Sequence, residues 1–337
     1  VTPPLFFEHG PRAACAFLSR LALATLVLLL SLAPAPAPAR QSTVPPDSFV
    51  ALSYHEIDDD LNPRDSNAIG RYGMESSALV AQFAWLRDNG YTPVSLSAVI
   101  EARNGGKPLP AKSVLLTFDD GYASFYHRVF PVLRLFGYPS VIALVGKWMD
   151  TPEGMDIDYE GHPVSRDAFM SWRQVREMVR SGLVEVASHS YDLHHGVPGN
   201  PQGNMLPAAT TRIHDAGSGR YEDDAAYEAR IRADLQRSSA QIEREIGQRP
   251  RAIVWPYGRY NGATQKIARA LGMPVMMTVE SGVNTPSVPL DAVNRSIVQF
   301  NPDLNAFVDE IETVWPADPR RVVHVDLDRV HAASPEE

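Results

Sequence analysis

The stretch Leu115-Leu116-Thr117-Phe118-Asp119-Asp120-Gly121-Tyr122 decides the fold. An apolar, partly β-branched run reads as a buried strand, and this one ends abruptly in two adjacent acids and a glycine. A strand that buries itself and finishes in carboxylates delivers charge to the rim of a sheet, where α/β enzymes keep their chemistry. Alone, Asp-Asp-Gly reads as a turn or a helix cap. A second motif about seventy residues later gives it another meaning.

That motif, Ser188-His189-Ser190-Tyr191-Asp192-Leu193-His194, also follows a β-like segment, Val184 to Ala187. A histidine at a strand end and another past a turn can converge on one point. Two imidazoles and a carboxylate with open positions for water make a recurrent catalytic metal site. His195 stands beside His194 as a competing ligand, and spacing favours His194.

Together the two motifs resemble the polysaccharide deacetylases, the NodB-homology group within carbohydrate esterase family 4. The resemblance implies a divalent metal (Zn, Ni, Co or Fe) held by Asp120, His189 and His194, with Asp119 as general base. Trp255-Pro256-Tyr257-Gly258, after the strand-like Ala252 to Val254, matches a family segment that lines the substrate groove. It implies substrate contacts from Trp255, Pro256 and Tyr257, and an oxyanion donor in the Tyr257 backbone N–H. The family often has an arginine shortly before this proline. Here Ile253, Val254 and Trp255 precede it and Arg251 lies further back, which leaves open what orients Asp119.

The family's usual late catalytic histidine has no counterpart, since Met276 to Val283 contains none. Instead the apolar run Phe49 to Tyr54 ends in His55. That resembles the circularly permuted branch, the periplasmic deacetylases of poly-β-1,6-N-acetylglucosamine, and it makes His55 the expected general acid. A barrel closes on itself, so its first and last strands are neighbours and permutation preserves the site. Other readings of the same residues are a peptidoglycan or chitooligosaccharide deacetylase and a non-catalytic glycan-binding module. A metallopeptidase is disfavoured because His-Glu-x-x-His does not occur.

With 337 residues, 44% of them hydrophobic and 21% charged, the chain has the composition of a soluble enzyme. A net charge of −9 argues against nucleic acid, which needs a basic footprint. The resemblance implies an N-acetylglucosamine polymer as partner, with the outer-membrane export machinery as a further one. Arg12 and Arg20 precede an apolar core, Leu21 to Leu32, too short to span a bilayer, and Ala-Pro alternation follows. Residues 1–39 are therefore expected to be a signal peptide directing the chain to the periplasm, and 40–47 a leader. Cys15 precedes that apolar core, so no lipid-anchoring cysteine is expected. With Cys15 removed, no thiol is left for a disulfide or a metal.

Helix-period stretches alternate with short apolar runs from Phe49 to Val279, which implies βα units and a parallel sheet. The expected fold is α/β, a distorted (β/α) barrel of the polysaccharide deacetylase type, over residues 48–317. Two long polar segments, Asp58–Gly73 and Pro198–Arg220, follow site motifs and are expected to wall a groove. Residues 318–337 contain Arg-Val-Val-His-Val-Asp-Leu-Asp and read as the start of a truncated C-terminal domain. His324, Asp326 and Asp328 there are not expected to form a site.

Overall fold

A computed structural model describes residues 44–59, 72–159 and 161–314. The expected signal peptide, the first half of the leader, the greater part of the first polar segment and residues 318–337 lie outside the described residues.

The frame is an eight-stranded parallel sheet. Its strands are β1 (Phe49–Tyr54), β2 (Thr92–Pro93), β3 (Ser113–Phe118), β4 (Ser140–Leu144), β5 (Val184–Ser188), β6 (Ala252–Val254), β7 (Val275–Met277) and β8 (Ser296–Ile297). The order is β7-β6-β5-β4-β3-β1-β8, with β2 paired beside β3 at Ser113 and Val114. Helices α1 (Ser76–Asp88), α2 (Leu96–Arg103), α3 (Phe130–Phe136), α4 (Trp172–Arg180), α5 (Asp224–Ile246), α6 (Gly262–Ala270) and α7 (Leu304–Val314) alternate with the strands. The sheet curls until its edges meet through one segment. Val293 bridges Met277 of β7, and three residues on Ser296 pairs with Leu52 of β1.

Both faces of the sheet are covered, so β1, β3 and β4 are buried at every position and read as continuous apolar runs. The two-residue period sorts their side chains. Val50, Leu52, Leu116, Ile142 and Val186 join the cluster that includes Leu79, Phe83, Leu133 and Val175 from α1, α3 and α4. Ala51, Leu115, Val141, Ala143, Ala187, Val254 and Met277 form the inner cluster, capped by Leu96 and Val99 of α2. Small alanines leave room inside the curl. Each fully buried aliphatic side chain of this kind contributes about 1.5–3 kcal/mol.

The same parity places the chemistry. Register sets Tyr54 opposite Phe118 and Leu144 opposite Ser188. His55, Asp119 and His189, each continuing the odd-numbered inner row of its strand, therefore emerge at one end of the curl. Arg295 continues the inner row through Val293 of the closing segment. That segment was not expected from the sequence, where the strand series ends at Val279.

Helix α5 follows from its own sequence. Asp223 caps it by accepting the Ala226 N–H, and Gly247 ends it in the left-handed conformation. Tyr227, Ile231, Leu235 and Ile242 form its buried stripe. The second polar segment is folded into two hairpins, Gly196–Pro198 with Met205–Pro207 and His214–Asp215 with Arg220–Tyr221. A further hairpin, Asp156–Tyr159 with His162–Ser165, was not foreseen.

Candidate active site

Asp120, His189 and His194 are all buried, with potential ligand atoms within 4.8 Å of one another. His189 Nε2 and His194 Nε2 lie 3.4 and 3.5 Å from the same oxygen, Asp120 Oδ1. His189 Nδ1 is 2.8 Å from the Val254 carbonyl, which can only accept, so Nδ1 carries hydrogen and Nε2 faces the cluster. Asp120 Oδ1 has no hydrogen-bond partner although it is buried. A carboxylate oxygen facing two imidazole nitrogens in a buried place calls for a cation or a shared proton. Donors about 2.0–2.1 Å from one tetrahedral ion would lie about 3.3–3.4 Å apart, close to the separations found. The donor set therefore fits a divalent metal.

Charge points the same way. Burial pushes Asp120 up, but the close approach of His189 Nε2 and the fields of His194, His55 and His189 outweigh it and leave the carboxyl well below its ordinary range. Burial pulls His194 down to about 4, against the pull of Asp120, so its imidazole is neutral near pH 7, as a ligand must be. For His189 burial acts downward too, yet the Asp120 carboxylate against its Nε2, with Asp119, raises it overall.

The turns that carry these groups are strained. Asp120, Ser190 and Tyr257 have φ of 71°, 67° and 58°, a region that non-glycine residues seldom occupy and that clusters at functional sites. Gly121 also has positive φ, and a Cβ there would lie 2.8 Å from Leu144 Cδ2. The loop between the two histidines is pinned from α5. Asp234 accepts the N–H groups of Tyr191 and Asp192 at 2.9 and 2.7 Å, and Ser188 Oγ lies 2.7 Å from Ser238 Oγ. Burial raises the Asp234 carboxyl to about 6.

Beside the cluster, Arg295 answers the question left by the absent arginine. It is fully buried and grips Asp119 with both ends of its fork, Nη1 to Oδ1 at 2.8 Å and Nη2 to Oδ2 at 2.9 Å. It also donates to Thr117 Oγ1 and to the Thr278 carbonyl. Arg251 is occupied elsewhere, paired with Glu185. Burial raises the Asp119 pKa, but the charges of Arg295, His55 and His189 and the Arg295 hydrogen bonds bring it below its ordinary value. His55 Nε2 stands 3.8 Å from Asp119 Oδ2. Burial lowers the His55 pKa more than Asp119 and Asp120 raise it. No local pattern marks Arg295, which stands between the polar Asn294 and Ser296.

An open cleft of about 890 Å³ runs from His194 and Tyr257 between the hairpins that begin at Asp156 and Gly196. The expectation that the second polar segment walls a groove is met by Met205, Leu206 and Pro207. Tyr257 lines the cleft, its ring centroid 4.6 Å from that of His194. Trp255 and Pro256 are a correction. Both are buried, and Trp255 is completely enclosed in the cluster with Ile231 and Leu235 of α5, so neither side chain is open to a sugar. The last apolar residues of a βα unit pack under the site, and only the residue that turns outward reaches the cleft. His195 also lines the cleft, but its Nδ1 meets the Gly196 carbonyl and it stands outside the three-residue cluster.

A family model described as polysaccharide deacetylase matches residues 106–276, half of the chain, spanning both motifs. The chain belongs to the polysaccharide deacetylase family. It is 42% identical over 287 residues to a poly-β-1,6-N-acetyl-D-glucosamine N-deacetylase of Escherichia coli strain K12, covering 85% of this chain and 42% of that protein. The chain thus spans less than half the length of that curated relative. Two solved structures resemble about three quarters of it. The BpsB deacetylase domain of Bordetella bronchiseptica is 45% identical with a TM-score of 0.68, covering 74% of this chain and 96% of that domain. A de-N-acetylase of Aggregatibacter actinomycetemcomitans is 37% identical with a TM-score of 0.72, covering 78% of this chain and 99% of that one. The α/β barrel expected from the sequence is the fold these relatives share.

Proposed function

We propose that this chain removes N-acetyl groups from poly-β-1,6-N-acetylglucosamine by hydrolysis, using a divalent metal held by Asp120, His189 and His194. The observation that carries the reading is the convergence of that cluster with the Arg295–Asp119 pair and His55 on one end of the barrel. When bound, such a cation polarises the acetyl carbonyl and makes water a nucleophile near neutral pH. Asp119, ionised and held in plane by Arg295, takes the proton of the attacking water. The Tyr257 backbone N–H, in its left-handed turn, donates to the oxyanion. His55 delivers a proton to the leaving amine and must carry that proton when the C–N bond breaks; burial lowers its pKa, which favours this acid form towards lower pH. The Tyr257 ring forms a wall for the sugar. An early histidine in place of a late one supports the permuted, exopolysaccharide branch, as does the identity to the relatives named for that substrate. Action in the periplasm, with the polymer's export machinery as neighbour, belongs to the same reading and rests on the apolar stretch Leu21 to Leu32.

The test is acetate release from poly-β-1,6-N-acetylglucosamine oligomers, with chelator and then with Zn²⁺, Co²⁺ or Ni²⁺ restored. Release that the chelator stops and a metal restores supports the reading. Tight glycan binding without release under any metal would make the chain a binding module.

A further inference from the structure

Tyr159 belongs to none of the sequence motifs. It closes the first strand of the hairpin Asp156–Tyr159 with His162–Ser165. The strand's alternation buries Ile157 and Tyr159 and leaves Asp156 and Asp158 exposed. Tyr159 is packed in a cluster with Tyr122, Trp148 and Phe169. From there its hydroxyl donates to Asp120 Oδ2 at 3.2 Å. Asp120 thus divides its oxygens. Oδ2 accepts from Tyr159, while Oδ1 is the atom that both His189 Nε2 and His194 Nε2 approach.

We propose that Tyr159 is a positioning residue of the metal centre, holding Asp120 as a one-oxygen ligand and tying the centre to the wall of the cleft. The inference rests on the reading of Asp120, His189 and His194 as ligands of a divalent cation. A carboxylate can offer one oxygen or two. With Oδ2 engaged by a buried phenol, turning both oxygens inward would break that hydrogen bond, so Asp120 keeps to one oxygen and positions stay open for water and the acetyl carbonyl. Partners of this kind, one shell beyond the ligands, typically govern metal affinity by 10–100-fold. The hairpin adds a mechanical link. Asp156, Ile157 and Asp158 line the cleft, and the next residue holds the ligand. A displacement of that wall by a bound chain is transmitted to Asp120 through one side chain.

The full chain, stripped with a chelator, would be titrated with Zn²⁺ against a chromophoric competitor, and its Co²⁺ form examined by visible absorption. Tyr159→Phe removes only the hydroxyl. It should bind Zn²⁺ about 10–100-fold more weakly than wild type. Its Co²⁺ bands should also lose intensity as the coordination number rises. Phe169→Leu perturbs the same aromatic cluster without touching Asp120 and should leave both readouts near wild type. Equal affinity and an unchanged spectrum in Tyr159→Phe would overturn the inference while the metal reading stands. So would a loss of affinity in Phe169→Leu as large as in Tyr159→Phe, since packing would then explain both. A wild-type chain that takes up neither ion would remove the metal reading and this inference with it.

Discussion

Replacing Arg295 with methionine keeps the length and apolar body of the side chain and removes its fork. The guanidinium is fully buried and donates to both oxygens of Asp119, to Thr117 Oγ1 and to the Thr278 carbonyl. Without it Asp119, 3% exposed, keeps only Ser53 Oγ at 3.3 Å and His55 at 3.8 Å. Breaking a buried ion pair from one side costs about 3–5 kcal/mol because the other charge is stranded. Domain stabilities of about 5–15 kcal/mol absorb that, so the variant should fold with a lower midpoint in urea. The sign with pH follows from Asp119. Its folded pKa lies below the unfolded value, so the stability it contributes is present above the unfolded value and lost as pH falls through the folded one. The gap between wild type and Arg295→Met should therefore narrow on acidification. In the variant, burial acts on Asp119 without the opposing charge and its pKa rises, so the acid limb of kcat should move to higher pH. Arg295→Lys restores charge but not the two-pronged grip, and should recover the limb more than the rate. The assays are urea unfolding at several pH values and acetate release against pH. A methionine variant within about 1 kcal/mol of wild type, with an unmoved acid limb, would refute the assignment of Arg295 as the group that sets Asp119, since about 3 kcal/mol is the least expected.

Asp119→Asn should abolish acetate release while zinc titration still shows near-wild-type affinity, because the proposed ligands are untouched. His194→Ala should weaken zinc binding severely and His195→Ala barely, a contrast that titration reads directly and that the reverse order would contradict. His55→Ala should lower kcat by about 10²–10⁴, the usual worth of a positioned proton donor, with metal affinity little changed. Asp234→Ala strands the N–H groups of Tyr191 and Asp192, at about 1–3 kcal/mol for each that stays dry. Thermal unfolding and zinc affinity should both fall in that variant, the second because the loop carrying His194 loses its anchor.

Much of this protein is determined by short-range pattern. The continuous apolar runs at Phe49–Tyr54 and Leu115–Phe118 read as strands buried on both faces, and each is followed by a polar residue that a two-residue period sends inward. His55, Asp119 and His189 stood out as strand-end candidates for that reason, Asp120 and His194 through the motifs that contain them, and the α/β barrel through the alternation of helix and strand patterns. What only the tertiary structure decided depends on contacts between residues far apart in the chain. Arg295 reaches Asp119 across 176 positions, from the irregular residue before a strand of only two residues, where no period can be read. Tyr159 meets Asp120 from a hairpin whose alternating Asp-Ile-Asp-Tyr reads equally well as solvent-facing loop. Trp255, an aromatic inside a site motif, turned out to be core, because which side of a strand end faces the cleft depends on how the sheet curls. Local sequence sets which side chains emerge at a strand end. The closure of the sheet sets which of them meet, since a buried charge is stable only where another strand brings its partner.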